Sequence, residues 1–363
     1  MSMIGDNEMD LPIKEHLKKI ARVKNSPIKR LDYMRLDKNE GIAVFSPEMI
    51  DLFRKEITPD FLTAYPEVDS LQRKIANQLE LGSDNVYVTA GSDAGIKAAF
   101  EVFVRKGDKV MLLDPTYAMF YVYAGIFEAK LVKIGFDKNL SLDVEMITRM
   151  IEEHKPKLIC IANPNSPTGT ILASEEMKEI ASRAFGQESI LLIDEAYYPF
   201  YPVSALDLVG KYSNVVITRT FSKAMSLASA RAGFALGQEK IIEALHKVRP
   251  MYETNAFAVK FSELIMDNPE MIDKNLKEVK AAKEYVETRL GELGLKFFKS
   301  YTNFILIDVG SFDKSVEIGK ALMERKILIK SAFCDENLKR CIRISIGSIN
   351  QMKSFIKNLE EVL

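Results

Sequence analysis

Between residues 86 and 236 the chain alternates short apolar runs with stretches of helical periodicity, and this alternation restricts the possible folds strongly. The apolar runs are nearly continuous, as in strands that are buried on both faces. Such strands separated by helices predict an α/β fold with a mostly parallel sheet covered by helices. The predicted strands are 86–89, 109–114, 130–136, 158–162, 190–194, 215–220 and 233–236, and predicted helices begin near residues 96, 117, 141 and 174.

The remaining segments have a different pattern and predict two further parts. Helices at about 239–247, 256–267 and 270–293 precede strands at 302–309, 327–330 and 341–346, with a helix at 313–325, which indicates a smaller α+β domain. We therefore predict an arm at 1–40, a large domain at 41–250, and a connecting helix with a small domain at 251–363, near which the arm lies. In the arm, Ile13, Leu17 and Ile20 form a narrow helical stripe that Pro27 should end. So narrow a stripe needs another surface to pack on, such as that of a partner subunit.

Composition argues against several classes of protein. The net charge is −1, which favours neither nucleic acid nor an anionic membrane as a partner. No apolar run is long enough to span a membrane and no leader pattern is visible, so we expect a cytoplasmic protein. The cysteines Cys160, Cys334 and Cys341 are interpreted as reduced, buried and apolar in character. The histidines have no ligand-like spacing, so we predict no metal site and no Ser-His-Asp triad.

Small and polar residues follow the predicted strands where ligands bind in α/β folds, at the carboxyl ends. The loop from Ala90 to Gly95 opens into a helix, so its N–H groups can hold an anion such as a phosphate. Ser92 or Asp93 could instead be a simple N-cap. Lys223 directly follows the strand 215–220, and a buried lysine amine is a good nucleophile toward carbonyls. Taken alone, Lys223 could equally be a solvated loop lysine.

A series of motifs, in this order, resembles the fold-type-I pyridoxal-phosphate aminotransferases of class I and II, and most of all the histidinol-phosphate aminotransferase-like group. The resemblance covers nearly the whole chain and implies a large domain on a mostly parallel, seven-stranded sheet plus a smaller domain. The motifs are Lys38-Asn39-Glu40, Tyr65-Pro66-Glu67, Gly91-Ser92-Asp93, Asp114-Pro115-Thr116-Tyr117, Pro164-Asn165-Ser166-Pro167-Thr168-Gly169, Asp194-Glu195-Ala196-Tyr197, Phe221-Ser222-Lys223-Ala224, Arg231 and Cys341-Ile342-Arg343-Ile344-Ser345.

The resemblance assigns a role to each matching residue around pyridoxal 5'-phosphate. Lys223 condenses with the cofactor aldehyde and then carries a proton, and Asp194 keeps the ring nitrogen protonated. Tyr117 stacks on the ring, while Tyr197 and Asn165 contact the ring oxygen. The phosphate is held by Ser92, Asp93, Ser222 and Arg231, with Tyr65 reaching it from the other subunit of a homodimer, and the substrate is bound by Arg343, Lys330 and Asn39.

The chain departs from the family pattern at several positions. Ser166 stands where an asparagine is usual, so Asn165, one position earlier, is the candidate for the ring oxygen. Ser229-Ala230 precedes Arg231 where Gly-Leu is commoner. Ile28 follows Pro27 where histidinol-phosphate enzymes have a tyrosine. Lys330 aligns with an arginine that binds the substrate phosphate in those enzymes, but a lysine ammonium is a point charge and lacks the two-pronged contact of a guanidinium. We therefore predict weak or no activity on histidinol phosphate and better activity on another small anionic amine or amino acid.

Three functions fit these residues. The leading one is an aminotransferase that moves an amino group between an amino-acid donor and a small oxo acid or oxo-alkyl phosphate. The second is a decarboxylase of a phosphorylated amino acid, similar to threonine-phosphate decarboxylases, because those enzymes share the motifs. The third is a cofactor-binding regulatory module, which the balanced charge and the lack of room for a helix-turn-helix domain disfavour.

Overall fold

The computed structural model describes residues 11–22, 28–41 and 45–363. Pro27, which the sequence predicted to end the first helix, lies outside this part. The α-helices of the described residues are α1 (Glu15–Lys18), α2 (Pro47–Glu56), α3 (Pro59–Thr63), α4 (Asp69–Gln78), α5 (Ser92–Phe103), α6 (Ala118–Ile126), α7 (Val144–His154), α8 (Ser174–Gly186), α9 (Leu206–Lys211), α10 (Glu239–His246), α11 (Ala256–Met266), α12 (Pro269–Glu292), α13 (Phe312–Glu324) and α14 (Ile349–Glu360).

The strands match the predicted ones closely, apart from two short strands that the pattern did not predict. Those two are β1 and β9, whose three residues each are too few to show a periodicity. The strands are β1 (Met34–Leu36), β2 (Val86–Thr89), β3 (Lys109–Asp114), β4 (Lys130–Gly135), β5 (Leu158–Ala162), β6 (Ile190–Asp194), β7 (Val215–Thr220), β8 (Gly233–Gly237), β9 (Lys296–Phe298), β10 (Phe304–Asp308), β11 (Ile327–Ile329) and β12 (Cys341–Ser345).

The predicted α/β architecture is confirmed by a 7-stranded sheet with the order β2-β8-β7-β6-β5-β3-β4. Strands β3 to β7 run parallel, and β8 is antiparallel to both β7 and β2. Successive side chains of one strand point to opposite faces, which places each in a different hydrophobic cluster. In β5, Ile159 and Ile161 join one cluster and Leu158 and Cys160 the other. Burial on both faces explains the continuous apolar runs.

The antiparallel strand β8 passes close behind the first turn of α5. A Cβ atom at Gly233 would lie 2.5 Å from the backbone carbonyl carbon of Gly91 and 2.5 Å from the backbone nitrogen of Ser92. Only a residue without a side chain allows the two backbones to approach this closely. Gly91 itself has a φ of 85°, a conformation that glycine adopts readily. These glycines fix where α5 begins.

A second core lies between helices α12, α13 and α14 and the strands of the C-terminal part. Strands β9, β10 and β12 form a 3-stranded antiparallel sheet, and β1 pairs in parallel with β11. Leu36 of β1 packs in the same cluster as Val286 and Ile344. Residues 34–36 of the arm therefore pack with the C-terminal part. Our division of the chain at residues 40 and 250 remains a prediction.

The segment of the arm around α1 packs on α6 of the same chain and on the turn that follows α6. His16 Nδ1 lies 3.5 Å from a carboxylate oxygen of Glu128, and the side chain of Ile20 would lie 3.5 Å from a Cβ atom at Gly125. Ile13 and Leu17 remain 48% and 37% exposed. The helical stripe thus packs against a surface of the same chain, and two of its three side chains remain partly exposed to solvent.

One cysteine differs from the prediction. Cys334 is exposed, whereas Cys160 and Cys341 are buried. Cys334 follows β11 in an irregular segment, so no apolar periodicity could report its environment. Among the described residues, no helix combines the length and the apolar character that crossing a membrane requires.

Candidate active site

A cavity of about 510 Å³ opens at the carboxyl ends of the parallel strands. This is where α/β folds bind ligands, because loops from several strands converge there. The cavity brings together most of the residues singled out in the sequence, which come from segments far apart in the chain. Those that line it are Asn39, Ser92, Asp93, Tyr117, Asp194, Tyr197, Ser222, Lys223, Arg231, Lys330 and Arg343.

Lys223 lies in the loop after β7 and points its amine into the cavity. Its Nζ donates a hydrogen bond to the backbone carbonyl of Lys38 at 3.0 Å. Burial, together with the cationic Arg343 and Arg231, lowers the pKa of Lys223 to about 8. About a tenth of this amine is therefore neutral and nucleophilic at pH 7, far more than for a lysine at its ordinary pKa.

Asp194 ends β6, opposite Thr218 of β7. The Thr218 hydroxyl donates to Asp194 Oδ1 at 2.8 Å. Burial raises the pKa of the Asp194 carboxyl to about 7, with the nearby Asp93 and Glu195 acting in the same direction and Thr218 and Lys223 opposing them. A buried carboxyl of this kind would ionise fully beside a cation that entered the cavity.

Tyr197 is held by the arm. The Asn39 side-chain amide donates to the Tyr197 phenolic oxygen at 2.8 Å, and the Ser345 hydroxyl accepts from the Asn39 backbone N–H at 2.8 Å. The ring of Tyr197 packs edge-on against Phe304. Burial raises the pKa of Tyr197, so the phenol stays protonated and can donate a hydrogen bond.

At one end of the cavity, hydrogen-bond donors are concentrated. Ser92 and Asp93 start α5, and N–H groups in a first helical turn have no acceptor within the helix. Arg231 Nη1 donates to the Ser222 hydroxyl at 3.3 Å. The Arg231 guanidinium and the Ser222 hydroxyl thus add two donors to this end of the cavity. The Tyr117 hydroxyl lies 3.4 Å from Asp93 Oδ1. Together these groups suit an oxygen-rich anion.

At the other end stand Arg343 and Lys330. The Arg343 guanidinium donates to the Asp37 backbone carbonyl at 2.9 Å and lies 3.4 Å from the Ser166 hydroxyl. Its Nε is buried and has no hydrogen-bond partner among the residues that the structure describes. Lys330 is joined to Arg343 by backbone hydrogen bonds of 3.0 and 2.7 Å, and its ammonium lies over the ring of Phe333. Two cations therefore face this end of the cavity.

The predicted contact of Asn165 is not supported by its position. Asn165 is buried, and its amide is bound by its own loop and by the loop after β3. Nδ2 donates to the Thr168 hydroxyl and to the Pro115 carbonyl, and Oδ1 accepts from the Thr116 hydroxyl. Ser166 lines the cavity in its place. The sequence could not decide between these neighbours because the loop has no regular periodicity.

Tyr65 is the other predicted site residue outside the cavity lining. It is 71% exposed and stacks on Tyr252 with ring centroids 4.0 Å apart. Within one chain it does not reach the cavity. Its predicted role in a partner's site stays a prediction.

Several residues of the cavity were missed in the sequence. The carbonyls of Asp37 and Lys38 accept hydrogen bonds from Arg343 and Lys223, and Thr218 supports Asp194. The sequence does not show which backbone carbonyls face a cavity, and nothing in it distinguishes Thr218 from other threonines in strands. Further wall residues are Phe333, Asp335 and Leu338, from the segment between β11 and β12.

Comparison with known proteins agrees with this geometry. Residues 46–359 match the family model for class I and II aminotransferases. Histidinol-phosphate aminotransferase 1 of Carboxydothermus hydrogenoformans is 31% identical over 332 residues, which are 91% of this chain and 93% of the relative. Histidinol-phosphate aminotransferase of Clostridium novyi is 31% identical over 321 residues, 88% of each chain.

Solved structures show the same fold. The structure of histidinol-phosphate aminotransferase from Sinorhizobium meliloti in complex with pyridoxal-5'-phosphate has a TM-score of 0.87 at 22% identity and covers 99% of both chains. L-threonine-O-3-phosphate decarboxylase from Porphyromonas gingivalis has a TM-score of 0.77 at 18% identity, covering 90% of this chain and 98% of that one. With its motifs, sheet order and family match in agreement, the chain belongs to the class I and II aminotransferase family.

Proposed function

We propose that the chain is a pyridoxal 5'-phosphate-dependent aminotransferase, similar to histidinol-phosphate aminotransferases, that exchanges an amino group between an amino-acid donor and a small oxo acid or oxo-alkyl phosphate. The observation that carries this proposal is one cavity with the Lys223 amine at its centre, anion donors at one end and the Arg343 guanidinium at the other. The family match and the relatives above 30% identity support an aminotransferase.

The residues of the cavity fit the cofactor in size and chemistry. The first turn of α5, Ser222 and Arg231 offer donors for a phosphate, and the glycine behind that turn keeps it open. The carboxyl of Asp194 suits a ring nitrogen, and Tyr117 offers an aromatic face in the cavity wall. Tyr197 is a protonated phenol suited to a ring oxygen. Ser166, rather than Asn165, lines the wall near it.

When bound, the cofactor supplies an aldehyde that takes up the amino group and a cationic ring that accepts an electron pair. Lys223 would hold the cofactor through its aldehyde, with loss of water, and its lowered pKa of about 8 is favourable because the neutral amine is the reactive form. With its amine free, Lys223 Nζ would accept a proton from the substrate carbon and later return it. Arg343 orients the substrate by a forked contact with its carboxylate.

A half-reaction tests this function. Purified protein is loaded with pyridoxal phosphate, reduced with borohydride and digested, and the cofactor should be found on Lys223. Glutamate added to unreduced protein should convert the aldehyde form to the aminated form in the absorption spectrum, and an oxo acid should reverse the change. Lys223→Ala is the control for both experiments. Release of carbon dioxide from an amino-acid phosphate without this spectral change would instead favour the decarboxylase.

We further propose a substrate with an anionic group, bound by Arg343 and Lys330. Ile28 does not line the cavity, and Lys330 offers one point charge, so we expect weak turnover of histidinol phosphate compared with another small anionic amine or amino acid. The relatives' names make histidinol phosphate the first compound to assay. A kcat/KM of about 10⁴ M⁻¹s⁻¹ or more on it would contradict this expectation. Lys330→Arg should improve binding of a phosphorylated substrate, because a fork matches a phosphate.

We also propose that the protein is a cytoplasmic homodimer that shares its active sites. The exposed ring of Tyr65, which occupies a motif position used in this way by the family, supports the shared site.

A further inference from the structure

Behind the cavity lies a second set of polar groups, arranged around the buried ion pair of Glu195 and Arg219. Glu195 directly follows Asp194, and its side chain is 3% exposed. Its carboxylate accepts hydrogen bonds from Arg219 Nε at 2.9 Å, from the Ser204 hydroxyl at 2.9 and 3.0 Å, and from the Ala205 N–H at 2.6 Å. The three donors come from the far end of the loop that begins at Glu195 and from the neighbouring strand.

Arg219 completes this set from β7. Its guanidinium lies 3.8 Å from the ring centre of Tyr198, and its Nη2 donates to the Ser204 hydroxyl at 2.7 Å. The Arg219 side chain is 6% exposed. We call Glu195, Tyr198, Ser204 and Arg219 the rear cluster.

The rear cluster and the cavity use alternate residues of the same strands. Asp194 of β6 lies beside Thr218 of the adjacent strand β7, and both side chains lie on the side of the sheet that bears the cavity. The next residues along, Glu195 and Arg219, pair on the opposite side. A change in the rear pair must therefore shift the backbone that carries the front pair.

The rear cluster also closes the loop that carries Tyr197. This loop starts at Glu195, and Ser204 and Ala205 end it by binding the Glu195 carboxylate. Tyr198 is stacked on Arg219, which leaves its neighbour Tyr197 on the cavity side. The loop is thus fastened at its start, near Tyr197 and at its end.

Stability is a poor explanation for such a cluster. Removing two charges from water is costly, and a well-packed apolar pair is often as stable or more stable. The planar fork of arginine, however, fixes direction as well as distance, which an apolar pair does not. The contribution of this ion pair is therefore to fix the positions and directions of the groups attached to it.

We propose that Arg219 and Glu195 are positioning residues that hold the carboxyl of Asp194 and the phenol of Tyr197 in register for the cofactor. The inference rests on the proposed function, because it assumes that those two groups contact pyridoxal phosphate. Neither Arg219 nor Glu195 lines the cavity, so each acts through its neighbour.

The test separates position from stability by comparing single and double variants. Arg219→Met leaves a buried carboxylate unpaired and should lower the melting temperature of the cofactor-free protein strongly. The double variant Glu195→Met/Arg219→Leu removes both charges and should recover most or all of that stability. Affinity for pyridoxal phosphate, measured by fluorescence titration, should nevertheless stay at least about tenfold weaker than wild type in the double variant. The absorption maximum of the bound cofactor should also shift.

Arg219→Lys and Arg340→Met serve as comparisons. Arg219→Lys keeps the charge but loses the fork and the ring contact, so its affinity should fall while it remains folded. Arg340 pairs with Asp308 at 3.0 Å in the small domain, away from the cavity, and Arg340→Met should leave the affinity unchanged. Wild-type affinity in the double variant would overturn the inference alone. A wild-type chain that binds no pyridoxal phosphate would overturn the proposed function and the inference with it.

Discussion

Lys223 and Asp194 share one cavity, and burial moves the pKa of each toward neutrality from opposite directions. For Lys223, the reactive amine is the unprotonated form, so cofactor uptake should follow its pKa. We expect the rate of pyridoxal phosphate incorporation to rise with pH around a midpoint of about 8. In Arg343→Met the midpoint should move upward, because a neighbouring cation that disfavours the charged amine is gone.

Stopped-flow absorbance of the cofactor-free protein over a pH series measures this midpoint. Lys330→Met is the control, since Lys330 lines the same cavity but is not among the main groups that shift the pKa of the Lys223 amine. An unshifted midpoint near that of free lysine would contradict the prediction.

Asp194 should destabilise the cofactor-free protein as the pH rises. Its folded pKa of about 7 exceeds the ordinary value of 3.8, so the folded state prefers the protonated carboxyl. Stability from this preference is fully present below the unfolded pKa and is lost as the pH rises through the folded one. Asp194→Asn should therefore melt higher than wild type above about pH 7, with a difference that vanishes toward about pH 4. Thermal melts at matched pH, without cofactor, measure this difference, and a constant difference over that range would count against it.

At the scale of elements, the position of α5 depends on a strand behind it. Gly233→Ala would place a Cβ atom 2.5 Å from the backbone of Gly91 and Ser92, so the first turn of α5 must move. We expect weaker binding of pyridoxal phosphate, by about tenfold or more, and a lower melting temperature.

Gly135→Ala is the matched control for that substitution. Gly135 ends β4 of the same sheet, and a Cβ atom there would meet no atom of the described part of the chain within 4 Å. Titration of both variants with the cofactor gives the comparison. Equal affinities would show that the close approach of β8 does not set the anion site.

The strands also show how much secondary structure the pattern of apolar residues predicts by itself. Strands β5, β6 and β7 begin and end at the predicted residues, because burial on both faces gives an unbroken apolar run. The direction of β8 was not predictable, since an antiparallel strand buried on both faces has the same composition as a parallel one. Strands β1 and β9 are defined by their partners, β11 and β10, and by little in their own sequence.

At the scale of the whole molecule, an exposed aromatic surface lies apart from the cavity. Met251 is 78% exposed, and the stacked rings of Tyr65 and Tyr252 are 71% and 51% exposed. A twofold interface over this surface would bring Tyr65 to a second chain.

Tyr65→Ala and Lys223→Ala homodimers should each be nearly inactive. When the two are refolded together, about half the dimers are mixed and activity should return to about a quarter of wild type.

Mixing Asp194→Ala with Lys223→Ala is the control for complementation. Both residues line the cavity of one chain, so every site of a mixed dimer keeps a lesion and no activity should return. Absence of recovery with Tyr65→Ala, or a monomeric mass by light scattering, would contradict the shared site.

The sequence by itself determined the α/β class, the order of the motifs and the placement of Lys223 and Asp194 at strand ends. Each of these is local, because a strand, its apolar run and the polar residue after it are adjacent in the chain. Only the tertiary structure decided that Ser166 rather than Asn165 faces the cavity, that Cys334 is exposed, and that the carbonyl of Lys38 meets the Lys223 amine. Those outcomes depend on which loops converge. Contacts between segments that are far apart in the chain, such as Lys38 with Lys223 or Glu195 with Arg219, arise from the packing of the sheet and leave no periodic signal in the sequence.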